Sequence, residues 1–268
     1  MKIHVNGTLD SILINKVNPD SISNTADIHL HGHVLWDRPN TRQILENLES
    51  EAKKKRKRTY VLVVNDDESP YPNHEWIRVM RTSMHKSTRN KDTLLPYIWE
   101  CNDFPFSPYT NPKPTIAFCG QSTPHRQESL IYLPKRNDIN TRFIVRDKFW
   151  GGKPGDKNLV DEFNTNMQNA HFNLASRGIG NFSMRFYQTL AAGRIPAMID
   201  TDSVLPFDQI IEWNQTIAIA QSNTELADRI ANFQNLETAQ RICATVFHKY
   251  MKYHPINTLI EYAETYTD

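Results

Sequence analysis

Nine consecutive residues carry the densest chemistry in the chain: Arg177-Gly178-Ile179-Gly180-Asn181-Phe182-Ser183-Met184-Arg185. Ser183 is of a type that caps helix starts, and Gly193 of a type that follows helix ends, so residues 184–192 read as a helix. A helix start behind a glycine-containing loop gathers unsatisfied N–H groups and partial positive charge. Arg177 and Arg185 bracket that start. Two guanidiniums and a helix N-terminus match a diphosphate, to which each arginine would make charge-assisted hydrogen bonds. The plainer readings are salt bridges from these arginines to acids of the sheet, and a capping role alone for Ser183.

A second chemistry sits earlier, in Asn65-Asp66-Asp67-Glu68-Ser69-Pro70, directly after the β-branched run Thr59 to Val64. Open α/β sheets bind ligands beyond the carboxyl ends of their strands, which puts these acids at a cleft by topology. A carboxylate or imidazole there can take a proton from an attacking hydroxyl. Asp66 and Asp67 are the first candidates for that base, with Glu68 and His74 behind them. The rival is an ordinary acidic turn. A third group is Gly120 and Arg126, which follow the short apolar strand Thr115 to Cys119. Arg126 there is either an anion-binding arginine or a surface one. Arg146 closes the next strand, Arg142 to Arg146. The loop Asp147 to Gly152 presents Phe149 and Trp150, which either flank a nucleobase or pack into the core.

The elements that must hold these residues alternate strand and helix. Lys2 to Val5 and Ile28 to Trp36 read as strands, and Thr41 to about Arg56 as a helix with Ile44, Leu45 and Leu48 inward. Thr59 to Val64 returns as a strand, and this β–α–β order begins a parallel sheet. Phe104 to Pro114 holds four prolines, at Pro105, Pro108, Pro112 and Pro114, and reads as a stiff interdomain connection. Ile195 to Ile199 and Thr216 to Ala220 are further strands. Asn223 to Phe233 and Pro255 to Thr265 are helices.

Other patterns have bland explanations beside sharper ones. His29, His31 and His33 share one face of a strand, as a metal site would need, but solvated or cleft-facing histidines are the plainer case. Lys53-Lys54-Lys55-Arg56-Lys57-Arg58 fits nucleic acid, yet no aromatic platform accompanies it and a helix C-terminus favours cations. Asp200-Thr201-Asp202 spells a metal–diphosphate signature, but precedes the turn Leu205-Pro206-Phe207 and reads as turn chemistry. The formal net charge of +1 offers no global field for nucleic acid. Cys101, Cys119 and Cys243 form no CxxC pair and read as reduced thiols of a cytoplasmic protein. No run approaches the ~20 apolar residues of a membrane span. At 268 residues and 39% apolar composition, the chain can bury two small cores.

The ordered run Arg177-Gly178, Phe182-Ser183-x-Arg185-Phe186, Leu190-Ala191-Ala192-Gly193-x-Ile195-Pro196, Leu205-Pro206-Phe207 and Glu212-Trp213-Asn214-Gln215 resembles the exostosin family of glycosyltransferases. The resemblance covers roughly residues 114–235. It implies a GT-B fold: two Rossmann-like domains facing a cleft, here with an abbreviated N-terminal one. The expected division is 1–110 on the acceptor side, 111–255 for the nucleotide sugar, and a C-terminal helix, 256–268, crossing back. It further implies inverting, metal-independent transfer from a UDP-sugar to a hydroxyl of a glycan or glycoprotein acceptor, without nucleic acid or a membrane segment. The missing anchor reads as a soluble bacterial or viral form, or as a trimmed piece of a longer chain. Arg126, Arg146, Arg177, Asn181, Phe182, Ser183, Arg185 and Gln188 become the donor-binding set, and Asp66, Asp67 and Arg126 the catalytic one. At Gln188 the family usually carries Glu, expected to accept from ribose hydroxyls. The amide departs from that pattern and leaves open a sugar-nucleotide-binding module that has lost catalysis.

Overall fold

The computed structural model describes residues 1–6, 15–31, 40–97, 101–102 and 104–266, and these form two compact units. Unit 1 is built from Met1–Trp99, Asp202–Ile211 and Tyr250–Asp268; unit 2 from Glu100–Thr201 and Glu212–Lys249. The short stretch Asp202–Ile211 thus folds with the first unit, although the sequence groups it with the second.

Unit 1 carries a parallel five-stranded sheet in sequential order: β1 (Ile3–Asn6), β2 (Ile28–His31), β3 (Thr59–Val63), β4 (Ile77–Arg81) and β5 (Thr93–Leu94). Helix α1 (Thr41–Lys55) precedes β3. Leu45 and Ala52 bury against Val61, Val63, Ile77 and Val79, with Ile44 and Leu48 partly buried beside them. Burying each of the larger aliphatic side chains is worth about 1.5–3 kcal/mol. The helix stops at Arg56, whose left-handed backbone (φ +51°) returns N–H bonds to Ala52 and Lys53 carbonyls. The expected strand beyond His31, and His33 with it, lies outside the described residues.

Unit 2 carries the second parallel sheet: β6 (Thr115–Gln121), β7 (Asn140–Arg146), β8 (Phe172–Leu174), β9 (Ile195–Ile199) and β10 (Ala218–Ala220). Its spatial order is β10-β9-β8-β6-β7. Ile116, Phe118, Phe172, Leu174, Ile195 and Ala197 are fully buried, the near-continuous apolar runs of strands covered on both faces. The crossover helices are α2 (Pro124–Tyr132), α3 (Lys157–Gln168) and α4 (Met184–Ala191), then the short α5 (Trp213–Thr216), followed by α6 (Asn223–Ala231) and α7 (Leu236–Val246). The order reverses between β6 and β8, and doubly wound sheets bind ligands at the carboxyl ends of such a switch point.

The last helix, α8 (Pro255–Tyr266), belongs to unit 1. Glu264 accepts hydrogen bonds from Arg58 (2.9 Å) and from the Tyr60 hydroxyl. The α/β class with two parallel sheets is as expected from the sequence.

Candidate nucleotide-binding site

Helix α4 is bounded by Ser183 and Gly193 and buries Phe186, Tyr187, Leu190 and Ala191, so packing of its apolar residues holds it as a helix. At its far end Gly193 adopts φ +60°, and the N–H groups of Gly193 and Arg194 bond to the carbonyls of Leu190 (2.9 Å) and Thr189 (2.9 Å). This pair of bonds is the Schellman closure that leaves no terminal carbonyl stranded there. At its near end Ser183 occupies the cap position, but its hydroxyl makes no bond to the helix. That oxygen is buried and has no partner. The expected side-chain cap is therefore absent: the serine has the cap's backbone shape while its hydroxyl stays uncommitted.

Two arginines converge on the switch point. Arg126, in the first turn of α2, donates from Nε to the Ser176 carbonyl and from Nη1 to the Gln121 carbonyl, each at 3.2 Å. Its guanidinium therefore ties the carboxyl end of β6 to the loop after β8. Arg185, in the first turn of α4, donates from Nη2 to the Cys119 carbonyl at 2.6 Å. Its Cζ lies 4.4 Å from the Phe118 ring centroid, and that of Arg126 lies 5.8 Å from it. Among the described residues, no carboxylate pairs with either guanidinium. Burial, then the neighbouring Arg126 charge, brings Arg185 down to about 9, and burial alone brings Arg126 down to about 10. Two buried like charges held only by carbonyl oxygens leave positive potential that an anion relieves.

Gly120 makes this geometry possible. A Cβ there would lie 2.6 Å from Arg185 Nη2, and the backbone stands at φ +152°. Around the same strand ends, Thr123 Oγ1, Ser176 Oγ and Arg185 Nε are buried with no hydrogen-bond partner, as is Ser183 Oγ. Native interiors rarely strand so many polar atoms together, which marks the place as built to receive a polar ligand.

The other expected donor residues are placed differently. Arg177 turns back on its own loop, donating to the Ile179 carbonyl at 2.8 Å. Arg146 donates to the Leu159 carbonyl (3.0 Å) and pairs with Glu162 at 2.6 Å, the salt-bridge alternative. Asn181 is buried and exchanges hydrogen bonds with Thr201, anchoring the loop. Phe182 is half-buried, and its carbonyl accepts from the Gly178 N–H at 2.9 Å. Gln188, three residues after Arg185, lies on the same face of α4. Phe149 and Trp150 are about half exposed, in a loop hooked to β6 by a Gln121 Nε2 donation to the Asp147 carbonyl at 3.0 Å.

In unit 1 the acids after β3 are mostly engaged. The Asp67 carboxylate accepts from the Ser69 N–H (2.9 Å) and the Tyr71 hydroxyl (3.0 Å). Burial raises its pKa, but these bonds and the Arg81 charge outweigh that and leave it below the usual carboxylate range. Asp66 is exposed. Glu68 pairs with His85 Nε2 at 2.7 Å. His74 lies 3.9 Å from Glu49, and burial lowers its pKa. Sequence reasoning passed over His85 and Ser176. A lone histidine in a loop carries no spacing signal, and a loop serine after a short strand carries none either.

The basic run ends α1, where Lys55 pairs with Glu51, Lys57 with Asp27 and Arg58 with Glu264. His29 is largely buried, its ring 4.7 Å from that of His4. Among the described residues no group of three His, Cys, Asp or Glu could hold a metal ion, and no helix is long and apolar enough to cross a membrane. The DxD aspartates sit in a turn, where Asp202 has φ +62°. Cys101, Cys119 and Cys243 form no disulfide among the described residues, and Cys119 and Cys243 are buried.

Exostosin-1 of Drosophila melanogaster is 32% identical to this chain over 131 residues, which is 43% of the chain and 16% of that protein. Over that stretch the chain is similar to an exostosin. It spans less than a fifth of that relative's length, and no family model matches it. Among solved structures, a mutant of TarM from S. aureus, in complex with Fondaparinux, alpha-GlcNAc-glycerol and UDP, is 10% identical, with a TM-score of 0.46. The match covers 88% of this chain and 55% of that one. An alpha1,3-fucosyltransferase is 12% identical, with a TM-score of 0.38, over 90% of this chain and 79% of that one. Both structural likenesses are faint.

Proposed function

We propose that this exostosin-like chain is a glycosyltransferase whose second unit seats the diphosphate of a UDP-sugar at the β6/β8 switch point. The observation that carries the reading is the pair Arg126, which is buried, and Arg185, half-buried with its Nε enclosed, neither of which has a carboxylate partner among the described residues. Their fixed donors would hold the pyrophosphate and stabilise the charge that grows on it as the sugar leaves. Preorganised electrostatics of this kind is commonly the largest single contribution to catalysis. The two guanidiniums do the work that a divalent cation does elsewhere, so the reaction needs no metal. The transfer is inverting, a direct displacement by a glycan hydroxyl, and requires a group to take that hydroxyl's proton. Arg177, Phe182 and Gln188 complete the donor set on the loop and helix that carry Arg185. Glycan biosynthesis without a nucleic-acid role fits the pairing of Lys55, Lys57 and Arg58 with acids.

Gln188 favours one second reading, a module that binds the sugar nucleotide without turning it over. The two readings separate in one assay series. UDP should raise the melting temperature of the chain under both, because a ligand bound only by the native state stabilises by RT ln(1 + [L]/Kd), about 2.7 kcal/mol at a hundredfold excess. Release of UDP from UDP-glucose, UDP-galactose, UDP-xylose, UDP-glucuronic acid or UDP-N-acetylglucosamine occurs only under the first. A chain whose melting temperature ignores UDP and all five donors would sink the diphosphate seat.

A further inference from the structure

We infer that the hydroxyls of Thr123 and Ser176 bind the diphosphate together with that of Ser183, so that each phosphate has a helix start of its own. This rests on reading the chain as a glycosyltransferase with a diphosphate donor, and it lies wholly within unit 2. Thr123 opens α2 and Ser183 opens α4, while Ser176 lies in the loop that joins β8 to α4.

At the start of α2 the backbone part of the cap is complete. The Thr123 carbonyl accepts from the N–H groups of Arg126 (2.9 Å) and Gln127 (3.0 Å), and Pro124 follows with no N–H to satisfy. Yet the Thr123 hydroxyl makes no bond to the helix, and its oxygen is enclosed without a partner. Ser183 repeats the pattern at α4. Other helices of the same unit use their caps. Asp156 accepts from the N–H groups of Asn158 (3.0 Å) and Leu159 (3.2 Å), and Ser222 from that of Glu225 (3.2 Å). A serine or threonine in cap geometry ordinarily does the same.

Ser176 supplies the third such hydroxyl. Its carbonyl accepts from Arg126 Nε, and a Cβ on Gly178 would stand 3.5 Å from Arg126 Nη2, so the loop wraps that guanidinium closely. Thr123, Ser176 and Ser183 are 9%, 1% and 7% exposed, and none of their hydroxyl oxygens has a hydrogen-bond partner. An enclosed hydroxyl without a bond is costly, and native folds keep few of them. All three are tied to the two arginines through the backbone. Arg126 bonds to the carbonyls of Thr123 and Ser176, and Ser183 stands two residues before Arg185. The guanidiniums and hydroxyls all donate, so the matching ligand is rich in acceptor oxygens and negatively charged. Two helix starts suit two linked phosphates better than one.

The test is titration calorimetry with inorganic pyrophosphate, orthophosphate, UDP and UMP, paired with thermal melts. Pyrophosphate and UDP should bind the wild type, with orthophosphate and UMP about tenfold or more weaker. Thr123→Val and Ser176→Ala should each weaken pyrophosphate and UDP by about tenfold or more, the scale of one hydrogen bond to a charged group. Without ligand both variants should melt at or above the wild type, since no bond is lost; loss of a helix cap would lower the melt. Thr123→Ser keeps the hydroxyl and should keep most of the affinity. Variants that bind both ligands as tightly as the wild type, or that melt well below it without ligand, overturn the assignment. Orthophosphate binding as tightly as pyrophosphate overturns the division between two helix starts. UDP binding without pyrophosphate binding overturns the inference and leaves the glycosyltransferase reading in place. A wild type that binds pyrophosphate but not UDP removes that reading and keeps the anion seat.

Discussion

Among the described residues Arg185 has no counterion, so removing its charge should cost the free protein little. Arg185→Met keeps an apolar stem over Phe118 and deletes a buried cation. We expect an unchanged or higher melting temperature without ligand, because an uncompensated buried charge is costly. The UDP-induced shift should vanish, which a thermal denaturation series with and without UDP reads directly. Gly120→Ala tests the same arrangement from the backbone side. Its Cβ would meet Arg185 Nη2 at 2.6 Å on a backbone that L side chains rarely adopt. Loss of roughly 1–3 kcal/mol of stability together with UDP binding is expected, measured by urea melts and titration. Of these residues, Arg185 was visible in the sequence through its spacing from Ser183 and Gly193. Its closeness to Arg126, fifty-nine positions earlier (185 − 126), was not.

The elements of unit 2 owe their junctions to a few buried polar contacts. Gly193 closes α4, and a Cβ there would lie 2.6 Å from the Phe106 ring. Gly193→Ala should lower the urea midpoint by the equivalent of about 1–3 kcal/mol, through strain at φ +60° and that collision. Arg194 then anchors β9, bonding to the carbonyls of Gln168, Ser107, Ala192 and Gly193. At the start of β8, His171 Nδ1 accepts the Thr115 N–H at 3.1 Å, which requires the neutral ring. Burial, aided by the Arg194 charge, depresses its pKa to about 4. Below pH 6.5 the unfolded chain takes a proton that the folded one refuses. Stability is therefore full above 6.5 and falls as pH drops toward 4, by roughly 3 kcal/mol from this group. Urea midpoints at pH 7 and pH 4.5 should show that loss, and His171→Gln should flatten it. Helix, cap and strand here were legible locally, since each depends on residues within one turn or one pleat. The histidine's role was not, because it depends on the strand lying across from it.

At the scale of the molecule, five segments alternate between the units, so the chain passes between them four times. The final segment completes unit 1: Ile256, Leu259 and Ile260 are buried, Glu264 holds Arg58 and Tyr60, and Tyr262 donates to Asp208 at 2.7 Å. Ending the chain after Lys249 should therefore speed amide exchange in β1 to β4 while β6 to β9 keep their protection. Uniform loss across both sheets would contradict that division of the core. The sequence by itself determined the α/β class, the helix at Ser183 and the exostosin likeness, because apolar periodicity, caps and glycines act over a few neighbouring residues. Only the tertiary structure decided that Arg126 meets Arg185, that Arg146 answers to Glu162, and that Glu68, His85 and Asp202 assemble. Those partners lie on helices and loops far apart in the chain, and they meet only once the intervening strands and crossovers have packed.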